Sequence, residues 1–218
     1  DLRFELGEGE TLVRARLSVR RAAGTPPEAP LVLDGEALEL RHIAIDDAPV
    51  PSERYTYEGD QLTVEGVPDA FVLETEVRVV PEENTELSGL YKSSGNFCTQ
   101  CEAEGFRRIT FHLDRPDVMS LYTTTIVGDP QRYPVMLSNG NRVDERQLDD
   151  GRVWVRWEDP HKKPSYLFAL VAGKLSCHPG EFVTRSGRKV RLEIWVEPQN
   201  IDKCEHALRS LQRAMKWD

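Results

Sequence analysis

The chain has 218 residues, enough for one large domain or two small ones. Its net charge of −9 argues against nucleic-acid binding as the main role, because such binding needs a basic surface. No apolar run approaches the roughly 20 residues that span a membrane, and the acidic N-terminus lacks the apolar stretch of a signal peptide. We therefore expect a cytoplasmic protein with no membrane or nucleic-acid partner.

Alternating apolar and polar residues predict β-strands along most of the chain. Between Thr11 and Arg21 the apolar side chains occupy every second position, as in a half-buried strand. Further β-rich runs, each about ten residues after the last, cover residues 31–35, 38–46, 61–68, 70–81, 107–115, 120–129, 135–143 and 152–160. This spacing predicts an all-β fold, in which two antiparallel sheets form a sandwich or saddle.

The pattern changes near Lys174. A last β-rich run, residues 188–198, precedes a segment in which apolar residues recur at intervals of three and four. This spacing predicts one long helix, whose apolar face would carry Ala207, Leu208, Leu211, Ala214 and Met215. Asn200 or Asp202 is a candidate for the N-cap of that helix.

A Cys-x-x-Cys pair, Cys98 and Cys101, lies in NFCTQCEAEGFRRITFHLDRPDV, residues 96–118. A structural zinc site needs a second pair of ligands. Two candidate pairs have unsuitable spacing: Cys177 with His178 and Cys204 with His206. A thioredoxin-like redox role needs the pair at the N-terminus of a helix, whereas here it leads into a predicted strand. We therefore expect reduced, buried thiols, with disulfides as the alternative in a secreted protein.

The polar residues within and after this pair are more informative. If the segment is extended, Gln100 and Glu102 point to the same side of the strand. A carboxylate beside a neutral amide acceptor suits an ammonium group, which has three N–H donors and a positive charge. Two other interpretations stay open at this point: a solvated strand face, or a pairing of Glu102 with Arg107 or Arg108.

A second charged group follows in FHLDRPD, residues 111–117, where Asp114, Arg115 and Asp117 flank a proline. Acidic and basic residues this close together can pair with one another at a chain reversal. We interpret them as an ion network that fixes a turn at the end of a strand, rather than as a substrate site.

The longest informative stretch, LSGLYKSSGNFCTQCEAEGFRRITFHLDRPDVMSLYTTTI, covers residues 87–126. It resembles the N-terminal domain of the bacterial aminopeptidase N family, the zinc-dependent alanyl aminopeptidases of the gluzincin group. Four further stretches are similar to the same family in the same order: YPVMLSNGNRV, PSYLFALVAGKL, TRSGRKVRLEIWVE and LRSLQRAMKWD. The resemblance extends from Leu31 to Asp218.

The resemblance implies a division of the chain and a substrate site. Residues 1–174 would form the β domain that closes one end of the cleft of a thermolysin-like catalytic domain, and residues 175–218 would be the beginning of that domain. In the family, a Gln-Cys-Glu motif helps to bind the free α-amino group of the substrate, and the matching residues here are Gln100 and Glu102. The implied partners are peptides with a free N-terminus and the protein's own catalytic domain.

The zinc motif of the family, His-Glu-x-x-His, does not occur in this sequence, because none of the five histidines begins it. The resemblance implies that the zinc ligands lie downstream of Asp218. The full-length protein would then be a zinc-dependent metallo-aminopeptidase, whereas residues 1–218 alone would hold no zinc, contain no catalytic residue and be inactive. The alternative is a non-enzymatic β-sandwich module that binds a partner through its acidic surface.

Overall fold

A computed structural model describes residues 1–217. The chain divides into two compact units, Asp1–Ala172 and a second unit that begins at Gly173. The predicted fold class is confirmed: strands in several antiparallel sheets account for half of the chain, and one α-helix follows them. No helix within residues 1–217 combines the length and the apolar character needed to cross a membrane.

Seventeen strands run through the described residues. In chain order they are β1 (Leu2–Leu6), β2 (Thr11–Arg20), β3 (Leu31–Asp34), β4 (Glu39–Ile45), β5 (Ala48–Pro49), β6 (Tyr55–Glu58), β7 (Gln61–Val64), β8 (Ala70–Val79), β9 (Gly89–Ser93), β10 (Asn96–Gln100), β11 (Ser120–Gly128), β12 (Val135–Ser138), β13 (Asn141–Gln147), β14 (Val153–Lys163), β15 (Leu170–Gly173), β16 (Ser176–Val183) and β17 (Lys189–Val196). Helix α1 is Cys204–Trp217, and four short 3-10 helices cover Ser52–Arg54, Phe106–Arg108, Ser165–Leu167 and Pro198–Lys203.

The largest sheet of the first unit has eight strands in the order β13-β14-β11-β1-β2-β8-β4-β5. Its neighbours are antiparallel except β1 and β11, which are parallel. The predicted alternation in β2 is confirmed, because Val13 and Ala15 are buried. Between them, Arg14 lies on the opposite face and pairs with Glu76 of β8. Such cross-strand ion pairs let this face of the sheet stay in solvent.

Two smaller sheets complete the first unit: β12-β15-β10-β9 and β3-β7-β6. Their inner faces and that of the large sheet share one apolar core. Its centre is aromatic, with Phe168 5.9 Å from Phe4 and 5.3 Å from Phe106 between ring centroids. Since Phe4 belongs to the large sheet and Phe106 to the segment after β10, this cluster fixes that segment against the sheet.

In the second unit, the hairpin of β16 and β17 packs against α1. Gly180 makes this contact close, because a Cβ atom there would lie 2.4 Å from the side chain of Leu208. The predicted helix is confirmed, but its cap is not. Asn200 and Asp202 belong to the 3-10 helix that precedes α1, so neither stands at the N-terminus of the α-helix.

One predicted strand is wrong. Residues 107–115 form part of a 3-10 helix and then an irregular segment, with a single β-bridge between His112 and Asp34. Both Ile109 and Phe111 are fully buried, and so is the intervening Thr110. The segment is therefore enclosed on both sides, and its alternating composition reflects burial rather than strand pairing.

We expect Phe4→Ala to lower the free energy of unfolding of the chain by about 3–5 kcal/mol, because it leaves a cavity at the centre of the core. The control is Ser18→Ala on the exposed face of β2, which should change stability by no more than about 0.5 kcal/mol. Urea unfolding of the purified chain measures both. Equal losses in the two variants would contradict this description of the core.

Candidate functional site

The candidate site is a turn at the end of the β9–β10 hairpin, which we call the QCE turn and define as residues 100–105. Gln100 is the last residue of β10 and pairs with Gly89 of β9. The chain then reverses, and the backbone N–H of Gly105 donates to the carbonyl oxygen of Cys101 at 2.8 Å. The peptide bond from Glu102 to the next residue is cis.

The turn brings Gln100 and Glu102 together, although not in the way that the sequence predicted. Glu102 lies beyond the end of β10, so the two side chains do not share a strand face. Instead, the side-chain nitrogen of Gln100 donates to the backbone carbonyl of Glu102 at 3.1 Å. Both residues are exposed. The amide oxygen of Gln100 and the carboxylate of Glu102 thus remain as acceptors at the surface.

The alternative pairing of Glu102 with a following arginine is not observed. Arg108 pairs with Glu36, and Arg107 pairs with Asp114 and, at 3.6 Å, with Glu104. Within residues 1–217 the carboxylate of Glu102 makes no ion pair by the usual 4.0 Å criterion. The carboxylate of Glu102 therefore faces solvent with no cation of the described residues beside it.

Two glycines make the QCE turn compact. A Cβ atom at Gly105 would lie 2.4 Å from the backbone oxygen of Gln100 and 2.8 Å from the hydroxyl of Ser88. Gly89 has a φ of +76°, which favours glycine, and a Cβ atom there would lie 2.6 Å from the Cβ of Arg108. Any larger residue at either position would push the hairpin and the 3-10 helix apart.

A buried carboxylate, Asp114, supports the turn from beneath. One of its oxygens accepts from the backbone N–H of Arg107 at 3.1 Å and from the guanidinium at 3.0 Å. The other accepts from the hydroxyl of Ser165. The predicted network of Asp114 with Arg115 and Asp117 at a strand end is therefore wrong for Asp114, which pairs with Arg107 outside any strand. Arg115 and Asp117 form a separate, exposed pair at 2.9 Å.

The cysteines have no visible role in chemistry. No disulfide is present, and Cys101 is buried. Burial, and secondarily the charge of Asp114, raises the pKa of the Cys101 thiol to about 12. Across the described part of the chain, no group of three or more His, Cys, Asp or Glu side chains is arranged to hold a metal ion. The side chains of residues 1–217 therefore offer no site that fits a zinc ion.

Sequence reasoning missed a buried polar pair, His112 and Tyr122, behind the turn. Neither ring nitrogen of His112 nor the hydroxyl of Tyr122 has a hydrogen-bond partner among the residues described. The His112 ring packs edge-on against Phe106, with centroids 5.0 Å apart. Burial lowers the pKa of His112, although the charges of Asp114 and Asp34 oppose this, and burial raises the pKa of Tyr122. The one feature of the sequence that pointed to this buried pair is the position of His112 between two apolar residues.

Comparison with known families identifies the first unit. Residues 8–167 match the model of the Peptidase M1 N-terminal domain. This chain belongs to that family. The QCE turn and its buried supports lie within the matched residues, and the resemblance drawn from the sequence is confirmed.

Curated relatives cover the whole chain. It is 52% identical to the aminopeptidase N of Caulobacter vibrioides over 215 residues, 99% of this chain, and 47% identical to that of Escherichia coli over 219 aligned positions, 100% of this chain. The chain spans 25% of the length of each.

Solved structures of the M1 family have the same fold. An aminopeptidase A of Legionella pneumophila in complex with aspartic acid has a TM-score of 0.94 and 36% identity, over 100% of this chain and 26% of that one. An M1 zinc metallopeptidase of Deinococcus radiodurans, bound to a Tyr-Ser-Ala substrate, has a TM-score of 0.74 over 90% of this chain and 46% of that one. At 16% identity the latter likeness shows the fold alone.

We expect Cys101 to resist alkylation in the folded chain. With a thiol pKa of about 12, only about one molecule in ten thousand is thiolate at about pH 8. Iodoacetamide labelling followed by peptide mass spectrometry should modify the half-buried Cys177 well before Cys101, and urea should abolish the difference. Equal labelling of both in the native chain would contradict the burial described here.

We expect His112 to make the chain less stable in mild acid. Its pKa is lowered in the fold from the usual 6.5, so below that value the unfolded chain binds a proton that the folded chain resists. The free energy of unfolding therefore has its full value, as far as His112 is concerned, above about pH 6.5. It decreases as the pH falls through the pKa of His112 in the folded chain. Because its ring nitrogens have no partner, His112→Phe removes no hydrogen bond.

The urea midpoint should therefore fall less between about pH 7.5 and about pH 5 in His112→Phe than in the wild type. Carboxylates that titrate over the same range are common to both proteins and cancel in the comparison. Parallel pH profiles would show that His112 does not titrate differently on folding.

Proposed function

We propose that this chain is the N-terminal part of a zinc-dependent aminopeptidase, which removes N-terminal amino acids from peptides. In this proposal Gln100 and Glu102 accept hydrogen bonds from the α-ammonium group of the substrate. The observation that carries it is the exposed carboxylate of Glu102, which lacks a cationic partner in residues 1–217, beside the amide oxygen of Gln100. Membership of the M1 family gives this pair its context.

The chemistry of the pair suits a free N-terminus. A peptide α-amino group has a pKa near 8, so most of it is charged at neutral pH. A carboxylate binds that cation more strongly than it binds a neutral internal amide. The amide oxygen of Gln100 adds a second acceptor without a second negative charge, and the bond from its nitrogen to the Glu102 carbonyl fixes its direction. The pair would thus select peptides by their free amine.

The remaining parts of the proposal concern the rest of the protein. Residues 1–174 would close one end of the substrate cleft, and residues from 175 onward would begin a thermolysin-like catalytic domain, which is this domain's partner. The division of the chain at Gly173 is compatible with that boundary. Zinc would be bound by residues outside the described chain, since none of its side chains forms a suitable cluster.

Three relatives support an aminopeptidase over a non-enzymatic interaction module. The relatives from Caulobacter vibrioides and Escherichia coli are both named aminopeptidase N. The Legionella aminopeptidase A was solved with aspartic acid, a molecule that carries a free α-amino group. On the outer face of the large sheet, glutamates are paired with arginines, so this face does not form a dedicated acidic docking site.

We expect Glu102→Gln in the full-length protein to lower kcat/KM for free-amine substrates about tenfold to a hundredfold, because a hydrogen bond to a charged group contributes roughly 1.5–3 kcal/mol. The matched control is Glu104→Gln. Glu104 is also exposed in the QCE turn but already faces Arg107, so its loss should change kcat/KM by no more than about twofold. Steady-state hydrolysis of aminoacyl amides measures both variants.

Two further measurements separate substrate binding from other causes. Zinc content should be the same in the wild type and Glu102→Gln, because Glu102 is not a proposed ligand. Substrates with a blocked N-terminus should be poor for both proteins and show no additional loss. Full kcat/KM of Glu102→Gln on free-amine substrates would mean that Glu102 is only a solvated surface residue.

A further inference from the structure

We infer that Asp114 is a positioning residue for substrate binding, which acts by holding the QCE turn so that Glu102 meets the substrate ammonium group. This rests on the role proposed above for Glu102. Asp114 is only 3% exposed, so it does not contact substrate itself. Its effect must pass through the chain between it and Glu102.

The first link is the set of groups around the buried carboxylate. It accepts three hydrogen bonds: two from Arg107, through its backbone N–H and its guanidinium, and one from the Ser165 hydroxyl. The backbone N–H of Asp114 donates in turn to the carboxylate of Asp34 at 3.1 Å. Three segments of the chain, around residues 34, 107–114 and 165, therefore meet at Asp114, whose position is fixed from several directions.

The second link is Arg107, which connects Asp114 to the turn. Its guanidinium also donates to the backbone oxygen of Asp114 at 3.0 Å. The backbone oxygen of Arg107 accepts from the N–H of Glu36 at 2.9 Å. Hydrogen bonds to both the backbone and the side chain of Arg107 thus hold the 3-10 helix in place. This helix begins at Phe106, directly after the last residue of the QCE turn.

The third link is the close packing between the start of this helix and the base of the QCE turn at Gln100 and Cys101. Gly105 joins the two and is in contact with the backbone of Gln100, where even a Cβ atom would not fit. The N–H of Gly105 closes the turn on Cys101, and the oxygen of Gly105 accepts from the N–H of Arg108 at 3.1 Å. A shift of the helix is therefore transmitted to the turn rather than absorbed in a loose connection. Small misplacements of a binding group are costly for catalysis.

Asp114→Asn tests this link with little change of shape. The asparagine can keep its one acceptor oxygen toward Arg107 and donate its NH₂ group to the Ser165 hydroxyl, so the variant removes mainly the negative charge opposite the Arg107 guanidinium. In the full-length protein we expect KM for free-amine substrates to rise about tenfold while kcat changes by no more than about twofold, because the ammonium is bound alike in the ground state and the transition state. Zinc content should not change.

The decisive measurement is a double-mutant cycle with Glu102→Gln. If Asp114 acts through Glu102, then Asp114→Asn should add no more than about a twofold loss of kcat/KM when Glu102 is already replaced. A residue that serves stability alone would cost the same factor in both backgrounds. Equal factors, or a lower Tm with unchanged KM, would overturn the inference.

Two companion variants complete the test. Arg21→Gln is the structural control, since Arg21 holds a different loop through Asp69 and three backbone carbonyls; it should lower Tm and leave KM unchanged. If Asp114→Asn does not fold, Ser165→Ala, which removes one hydrogen bond to Asp114, should raise KM about threefold with the same dependence on Glu102.

The outcomes distinguish this inference from the proposed function. A normal KM in Asp114→Asn, or in Ser165→Ala where that variant replaces it, together with a raised KM in Glu102→Gln, would overturn only the role of Asp114. A Glu102→Gln protein with full kcat/KM would overturn the proposed function and, with it, this inference.

Discussion

The arrangement of the candidate site depends on the hydrogen bonds that the buried carboxylate of Asp114 accepts. A charge taken out of water is costly unless it is paired and hydrogen-bonded, and here one cation and three donated hydrogen bonds surround it. The donors come from the 3-10 helix after the QCE turn and from Ser165, the first residue of another 3-10 helix. Because these groups have to converge for the charge to be satisfied, the charge defines how the segments around the turn meet.

The QCE turn combines tight packing beneath with solvent above. The side chains below it are apolar or fully engaged, with Cys101 and Phe106 buried and the two glycines in close contact with their neighbours. Above it, Gln100 and Glu102 face solvent. A binding group on a rigid support loses little conformational freedom when a ligand arrives, so an exposed carboxylate in this position is better suited to a specific cation than one on a mobile loop.

The large sheet explains how a chain with 30% charged residues still forms a substantial core. Period-two alternation sends the apolar side chains of β1, β2 and β8 inward, and arginines and glutamates pair across strands on the other face, as in Arg14 with Glu76 and Arg16 with Glu74. This sheet and the two smaller ones enclose the aromatic cluster of Phe4, Phe106 and Phe168. The cluster anchors the segment after β10, and so connects the fold to the candidate site.

The sequence by itself determined β2, β4, β8, β11 and β14 of the large sheet, the C-terminal helix and the family, because these follow from local periodicity and from one long motif. It also proposed Gln100 and Glu102 as candidate binding residues, although the extended geometry assumed for them was wrong. Only the tertiary structure decided that the chain reverses after Gln100 and that residues 107–115 are not a strand. It also decided that Arg107 binds Asp114 and leaves Glu102 without an ion-pair partner among residues 1–217. The physical reason is that a buried charge selects its partners by proximity in space, and period-two alternation cannot distinguish a strand from an irregular segment that is buried on both sides.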